Sequence, residues 1–167
     1  MKKLLLAVAA ITIFAASVNA QDNVKPGLKF SIAGNVGSGT TQYYKLSAGA
    51  DIQADLNVTT GLDLTGSVGY QNFAYEIPRT IGGPLKDHIS FIPILLGAKV
   101  PFGKGLYGHG QLGYSISTTS GGQGSFTYAP SLGYMFSKNF DASVKYMGLS
   151  NRNANIGAIL LRLAYNL

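Results

Sequence analysis

The chain carries two histidines and no cysteine, so its options for covalent chemistry are few. His88 follows Asp87 and lies close to Ser90, while His109 shares its side of an extended segment with Gln111 and Ser115. Acyl transfer by a Ser/His/acid set needs the imidazole to take the hydroxyl proton while the acid holds the ring. Spacing assembles no such set around either histidine, and no Gly-x-Ser-x-Gly elbow is present. His88 therefore reads as a loop residue and His109 as a member of a polar network. Asp51 and Asp55 share one face of an extended segment, where neutralising Lys29, Lys45 or Arg162 suits them better than acid–base work. There is no cluster of metal ligands, and no glycine motif follows a strand and opens a helix to cradle a phosphate. The lack of cysteine excludes disulfides, thiolate metal sites and a lipid-anchored bacterial lipoprotein. No catalytic residue and no cofactor are expected.

What the charged residues share is a parity. Lys29, Lys45, Asp51, Asp55, Asp63, Lys99, His109, Asp141, Lys145 and Arg162 all fall on the polar side of a two-residue alternation, and together they form the candidate internal network. The opposite parity is apolar and essentially free of charge. A period of two means strand, because successive side chains point to opposite faces. The alternation predicts strands over Leu28–Gly37, Tyr44–Leu56, Leu62–Tyr75, Phe126–Phe136, Phe140–Leu149 and Ile156–Leu167. A central hairpin, Ile89–Ser117, supplies two more, turning at Pro101–Gly105. Glu76–His88, with two prolines and paired glycines, reads as the longest irregular stretch, and Thr118–Ser125 as a flexible loop. Pro93 and Pro130 fall inside strands, where each removes a ladder donor, so bulges or breaks are expected there.

Composition decides which face meets water. Charged residues make up 12% of the chain, about half the ~25% of a soluble domain. A polar face so short of charge, and so rich in Gly, Ala and Ser, suits the cramped interior of a small barrel better than a wet exterior. The apolar face then points to lipid, and the strands must close, because an open edge in hydrocarbon leaves backbone groups unpaired. The expected fold is all-β: an eight-stranded antiparallel up-and-down transmembrane β-barrel. Aromatics near strand ends (Tyr44, Phe73, Tyr75, Phe102, Phe126, Tyr128, Phe136 and Phe140) fit interfacial girdles. Lys2 and Lys3, an apolar Leu4–Ala16 and small residues at Val18 and Ala20 mark residues 1–20 as a secretory signal peptide, leaving 21–167 as the barrel. Removing Lys2 and Lys3 lowers the formal charge from +6 to +4. The remaining basic residues are scattered, which argues against nucleic acid.

The hairpin ISFIPILLGAKVPFGKGLYGHGQLGYSIS resembles the central hairpin of the Bacteroidetes-type outer-membrane β-barrel domain, a porin-like family of small barrels. Ile92-Pro93-Ile94-Leu95-Leu96 and the Leu106–Tyr114 strand carry the likeness, and Ser137-Lys138-Asn139-Phe140 is similar to that family's next periplasmic turn. The resemblance implies location and fold without an activity. The expectation is an integral protein of a Gram-negative outer membrane, monomeric and non-enzymatic, acting in envelope integrity or in surface binding through its loops. Its expected partners are outer-membrane lipid and the outer-membrane assembly machinery. The alternatives are an acyl-transfer enzyme on outer-leaflet lipid and a soluble periplasmic ligand-binding barrel, which fractionation would separate.

Overall fold

The computed structural model describes residues 27–40, 44–59, 61–77, 85–118, 123–151 and 155–167. The expected signal peptide, residues 1–20, lies outside them. Eight strands run in chain order: β1 (Leu28–Gly39), β2 (Tyr44–Thr59), β3 (Leu62–Ile77), β4 (Leu85–Gly103), β5 (Leu106–Ser117), β6 (Ser125–Met135), β7 (Phe140–Ser150) and β8 (Asn155–Asn166). Each pairs antiparallel with its sequence neighbours, and β8 returns to β1 to close the barrel. Closure leaves no sheet edge, as the alternation required.

The direction of the faces is settled by exposure. Along β2, Ser47, Asp51, Gln53 and Asp55 are buried, while Leu46, Ala48, Ala50 and Ile52 are exposed. The same holds on β8, where Leu160, Arg162 and Ala164 point inward and Ile159, Leu161, Leu163 and Tyr165 outward. A water-soluble protein rarely presents so continuous an apolar surface. The polar parity fills the inside.

Three expectations about the strands are corrected. Glu76–His88 is not irregular throughout, since the β3–β4 ladder continues through Glu76↔Lys86 to Ile77↔Leu85. Hydrogen-bonded pairing needs no hydropathy signal, so composition alone read these strand ends as loop. Residues 78–84 and 119–122, the centres of the two expected loops, lie outside the described residues. Second, neither proline makes a bulge. The register passes unshifted through Pro93↔Ser115 and Gly110↔Pro130. Each proline instead opens a gap toward its other neighbour: the β3–β4 ladder omits Gly69 and Tyr70 opposite Pro93 and Ile92, and the β6–β7 ladder omits Ala129 and Pro130 opposite Met147 and Tyr146. Those bridges are the ones that need the missing proline N–H. The register shifts lie at hairpin ends, at Tyr44/Leu46, Asn57/Thr59 and Pro101/Gly103. Third, Phe73 belongs to no girdle; it is fully buried inside.

Candidate functional site: the barrel interior

The inward side chains separate into two zones along the barrel axis. At the end reached by the loops after β1, β3, β5 and β7 an apolar cluster sits beside the buried hydroxyls of Ser47, Ser90, Ser115, Ser125 and Thr127. Phe73 and Phe91 pack edge to face with ring centres 5.9 Å apart. Met147, Leu149, Ile156, Ala158 and Leu160 complete the cluster, with Tyr44 and Ile89 half-buried against it. This plug was not read from the sequence, because an inward phenylalanine near a strand end is indistinguishable by type from an outward girdle residue. Parity was the available signal: Phe73 shares its face with Asp63 and Gln71.

Below the plug the interior is polar, and among the described residues it buries three acids (Asp51, Asp55 and Asp141) with three basic side chains (Lys99, Lys145 and Arg162). Charges removed from water persist best when paired and hydrogen-bonded, and all six stand within ion-pair reach of an opposite charge. Arg162 on β8 reaches across the lumen to Asp51 on β2, donating from Nη2 at 2.9 Å and from Nε at 3.3 Å. Asn35 Nδ2 donates to the same carboxylate at 2.8 Å, and Lys145 Nζ stands 4.0 Å from it. Arg162 Nη1 lies 3.7 Å from Asp141 Oδ1. Asp141 also accepts from Tyr107 at 2.6 Å and from Asn166 at 3.1 Å. Lys99 is paired with Asp55, whose other oxygen accepts from Gln53 at 2.6 Å. The Lys99 ammonium also lies 5.1 Å from the centre of the Tyr107 ring, within cation–π range.

Seven members of the candidate network therefore converge inside: Asp51, Asp55, Lys99, His109, Asp141, Lys145 and Arg162. Three do not. Lys29 and Lys45 are exposed and Asp63 is half-buried, because each stands at a strand end where its side chain reaches the barrel mouth. Asp63 accepts from Asn57 at 2.7 Å. The partners that sequence reasoning passed over (Asn35, Gln53, Thr65, Tyr107 and Asn166) all share the inward parity. They are neutral, and charge was the property that drew attention to the others.

The arrangement offers little for catalysis. His109 Nε2 bonds the Thr65 hydroxyl at 2.8 Å inside the packed lumen. His88 is exposed at the rim, its Nδ1 3.7 Å from Asp87 Oδ1. The Ser90 hydroxyl accepts from Tyr70 and Asn72, each at 2.8 Å, and His88 turns to Asp87 at the rim, so no Ser–His hydrogen bond of the kind a triad needs forms here. Among the described residues no group of three or more His, Cys, Asp or Glu could hold a metal ion. A cavity lined by Asn35, Asp51, Gln71, Lys145 and Leu160 has a volume of about 10 Å³, room for about one water molecule. The interior is filled.

No protein-family model matches the chain, and no curated protein matches it. Solved structures do. The attachment invasion locus protein Ail of Yersinia pestis superposes with a TM-score of 0.59 at 16% identity, over 86% of this chain and 100% of that one. The N-terminal β-barrel domain of Pseudomonas aeruginosa OprF gives 0.56 at 16% identity, over 86% of this chain and 100% of that domain. A de novo designed transmembrane β-barrel gives 0.53 at 17% identity, over 87% and 100%. Identities this low establish a shared fold, that of small membrane barrels, and nothing finer.

Proposed function

We propose that the chain is a non-enzymatic, non-conducting integral protein of a Gram-negative outer membrane, exported by the signal at residues 1–20. One observation carries this: the outward face is an unbroken apolar belt, while every deeply buried charge points into a filled lumen. Lipid on the outside and neutralised polar groups within is the arrangement that a spanning barrel demands. The hairpin Ile92–Tyr114 supports assignment to the Bacteroidetes-type small barrels. With an apolar plug across one end and space for about one water below it, the lumen is a scaffold. Its role then falls to the envelope itself or to surface binding by the loops between β3 and β4 and between β5 and β6. Likeness to a designed barrel supports this division, because that fold stands without any evolved activity.

Fractionation with gel migration tests the proposal. The chain is expected in the outer-membrane fraction, extracted by detergent, with a compact unboiled band that shifts on boiling. Recovery from the periplasm without detergent would overturn it.

A further inference from the structure

The periplasm-facing rim is not uniform. From the tip of β4 round to β8 it carries five outward aromatic rings: Phe102 at 62% exposure, Phe136 at 67%, Phe140 at 57%, and Tyr134 and Tyr165 at 44% each. They sit in pairs, Tyr134 with Phe136 at 5.2 Å and Phe140 with Tyr165 at 5.0 Å between ring centres. The β1–β3 side of the same rim presents mainly aliphatic residues, Leu28, Leu56, Leu62 and Leu64, with Phe30 as its outward aromatic.

Two exposed lysines stand on the aromatic side. Lys104 tops the β4–β5 turn with φ 52°, between Gly103 and Gly105 at φ 94° and 85°. Lys138 lies in the next turn, between β6 and β7. The two turns are joined, since Met135 N donates to Gly105 O at 2.8 Å, and the Tyr134 ring passes beside Gly105. Among the described residues no acidic side chain is exposed there. Asp141, the nearest acid in sequence, is buried and held by Tyr107 and Asn166.

We infer that this side of the rim, built by Lys104, Lys138, Tyr134, Phe102, Phe136 and Phe140, is a headgroup site for an anionic phospholipid of the periplasm-facing leaflet. The rings hold the acyl–headgroup boundary, where amphipathic aromatics settle. The lysine stems lie along that apolar surface while their ammonium groups reach the phosphodiester. The Tyr134 ring, against Gly105 of the same turn, brings a hydroxyl donor to this part of the rim. Two cations with no exposed acidic side chain beside them among the described residues favour a lipid of net negative charge over a zwitterionic one. This inference rests on the membrane reading above and on short turns facing the periplasm.

The test uses the full barrel in nanodiscs holding an equal mixture of phosphatidylcholine and phosphatidylglycerol, with retained lipids counted by native mass spectrometry. Wild type is expected to retain phosphatidylglycerol several-fold above its share. Lys104→Gln with Lys138→Gln returns the ratio to that of the bulk, whereas Lys45→Gln at the opposite mouth leaves it enriched. An unchanged compact band on unboiled gels confirms that the double variant is folded. No enrichment in wild type, or enrichment indifferent to the double substitution, overturns the site while the membrane reading stands. A chain that does not enter nanodiscs at all overturns both.

Discussion

Lys99 faces Asp63 directly in the β3–β4 ladder, yet it pairs with Asp55 one strand further on. Asp63 stands at the mouth, where water competes for it, while Asp55 is buried beside Gln53. Desolvation makes the deeper pair the stronger one and also the more costly to break. Lys99→Leu should therefore lower unfolding stability by about 3–5 kcal/mol, because it strands the Asp55 carboxylate in the lumen. Lys99→Leu combined with Asp55→Leu should recover most of that loss. Urea titration followed by the compact gel band measures both, and additive losses would argue against the pairing. That the lumen is a network of opposite charges was legible from parity. The choice of Asp55 over Asp63, Asp51 or Asp141 was not, because the stagger of closed strands decides which inward residues meet, and sequence spacing does not encode it.

At the scale of the elements, the weak seams are where the prolines sit, and tyrosines cover them. Tyr128 lies over Gly148 across the β6–β7 gap left by Pro130, and its ring stands 5.9 Å from that of Tyr146. Tyr114 over Gly124 and Tyr146 over Gly157 make the same ring–glycine contact away from the proline gaps. At each glycine a Cβ would meet the far end of the ring, which would have to move aside. Gly148→Ala is expected to cost about 1–3 kcal/mol by forcing Tyr128 off the seam. Gly34→Ala serves as the control, since a Cβ there has nothing within 4 Å, and its effect should be small. Equal effects in urea titrations would contradict the seam account. The strands themselves were readable because both parities run clean over most of their length. Their ends were not, as in Glu76–His88, where backbone pairing persists after the alternation has faded. At Pro93 and Pro130, where bulges or breaks are expected, each proline leaves a gap in one ladder and no bulge. In a closed sheet the neighbour on the other side holds the register, so a missing donor opens a gap instead of a shift.

At the scale of the molecule, the barrel inverts the usual arrangement: neutralised charges inside, an apolar coat outside, and a plug of Phe73, Phe91, Met147, Leu149 and Leu160 across one end. Charge scarcity and the alternation made the inversion visible from composition. The plug stayed hidden because aromatic residues near strand ends serve both faces. Absence of cysteine makes the inversion directly testable, since each introduced thiol is the only one in the chain. Single cysteines placed along β2 at Ser47, Ala48, Ala50, Ile52, Gln53 and Ala54, labelled with an environment-sensitive fluorophore, can be read in vesicles of brominated lipid. The account predicts strong quenching at Ala48, Ala50, Ile52 and Ala54, with no quenching or no labelling of the folded barrel at Ser47 and Gln53. Quenching at Ser47 and Gln53 in place of the even positions, or no quenching at any position, would contradict it.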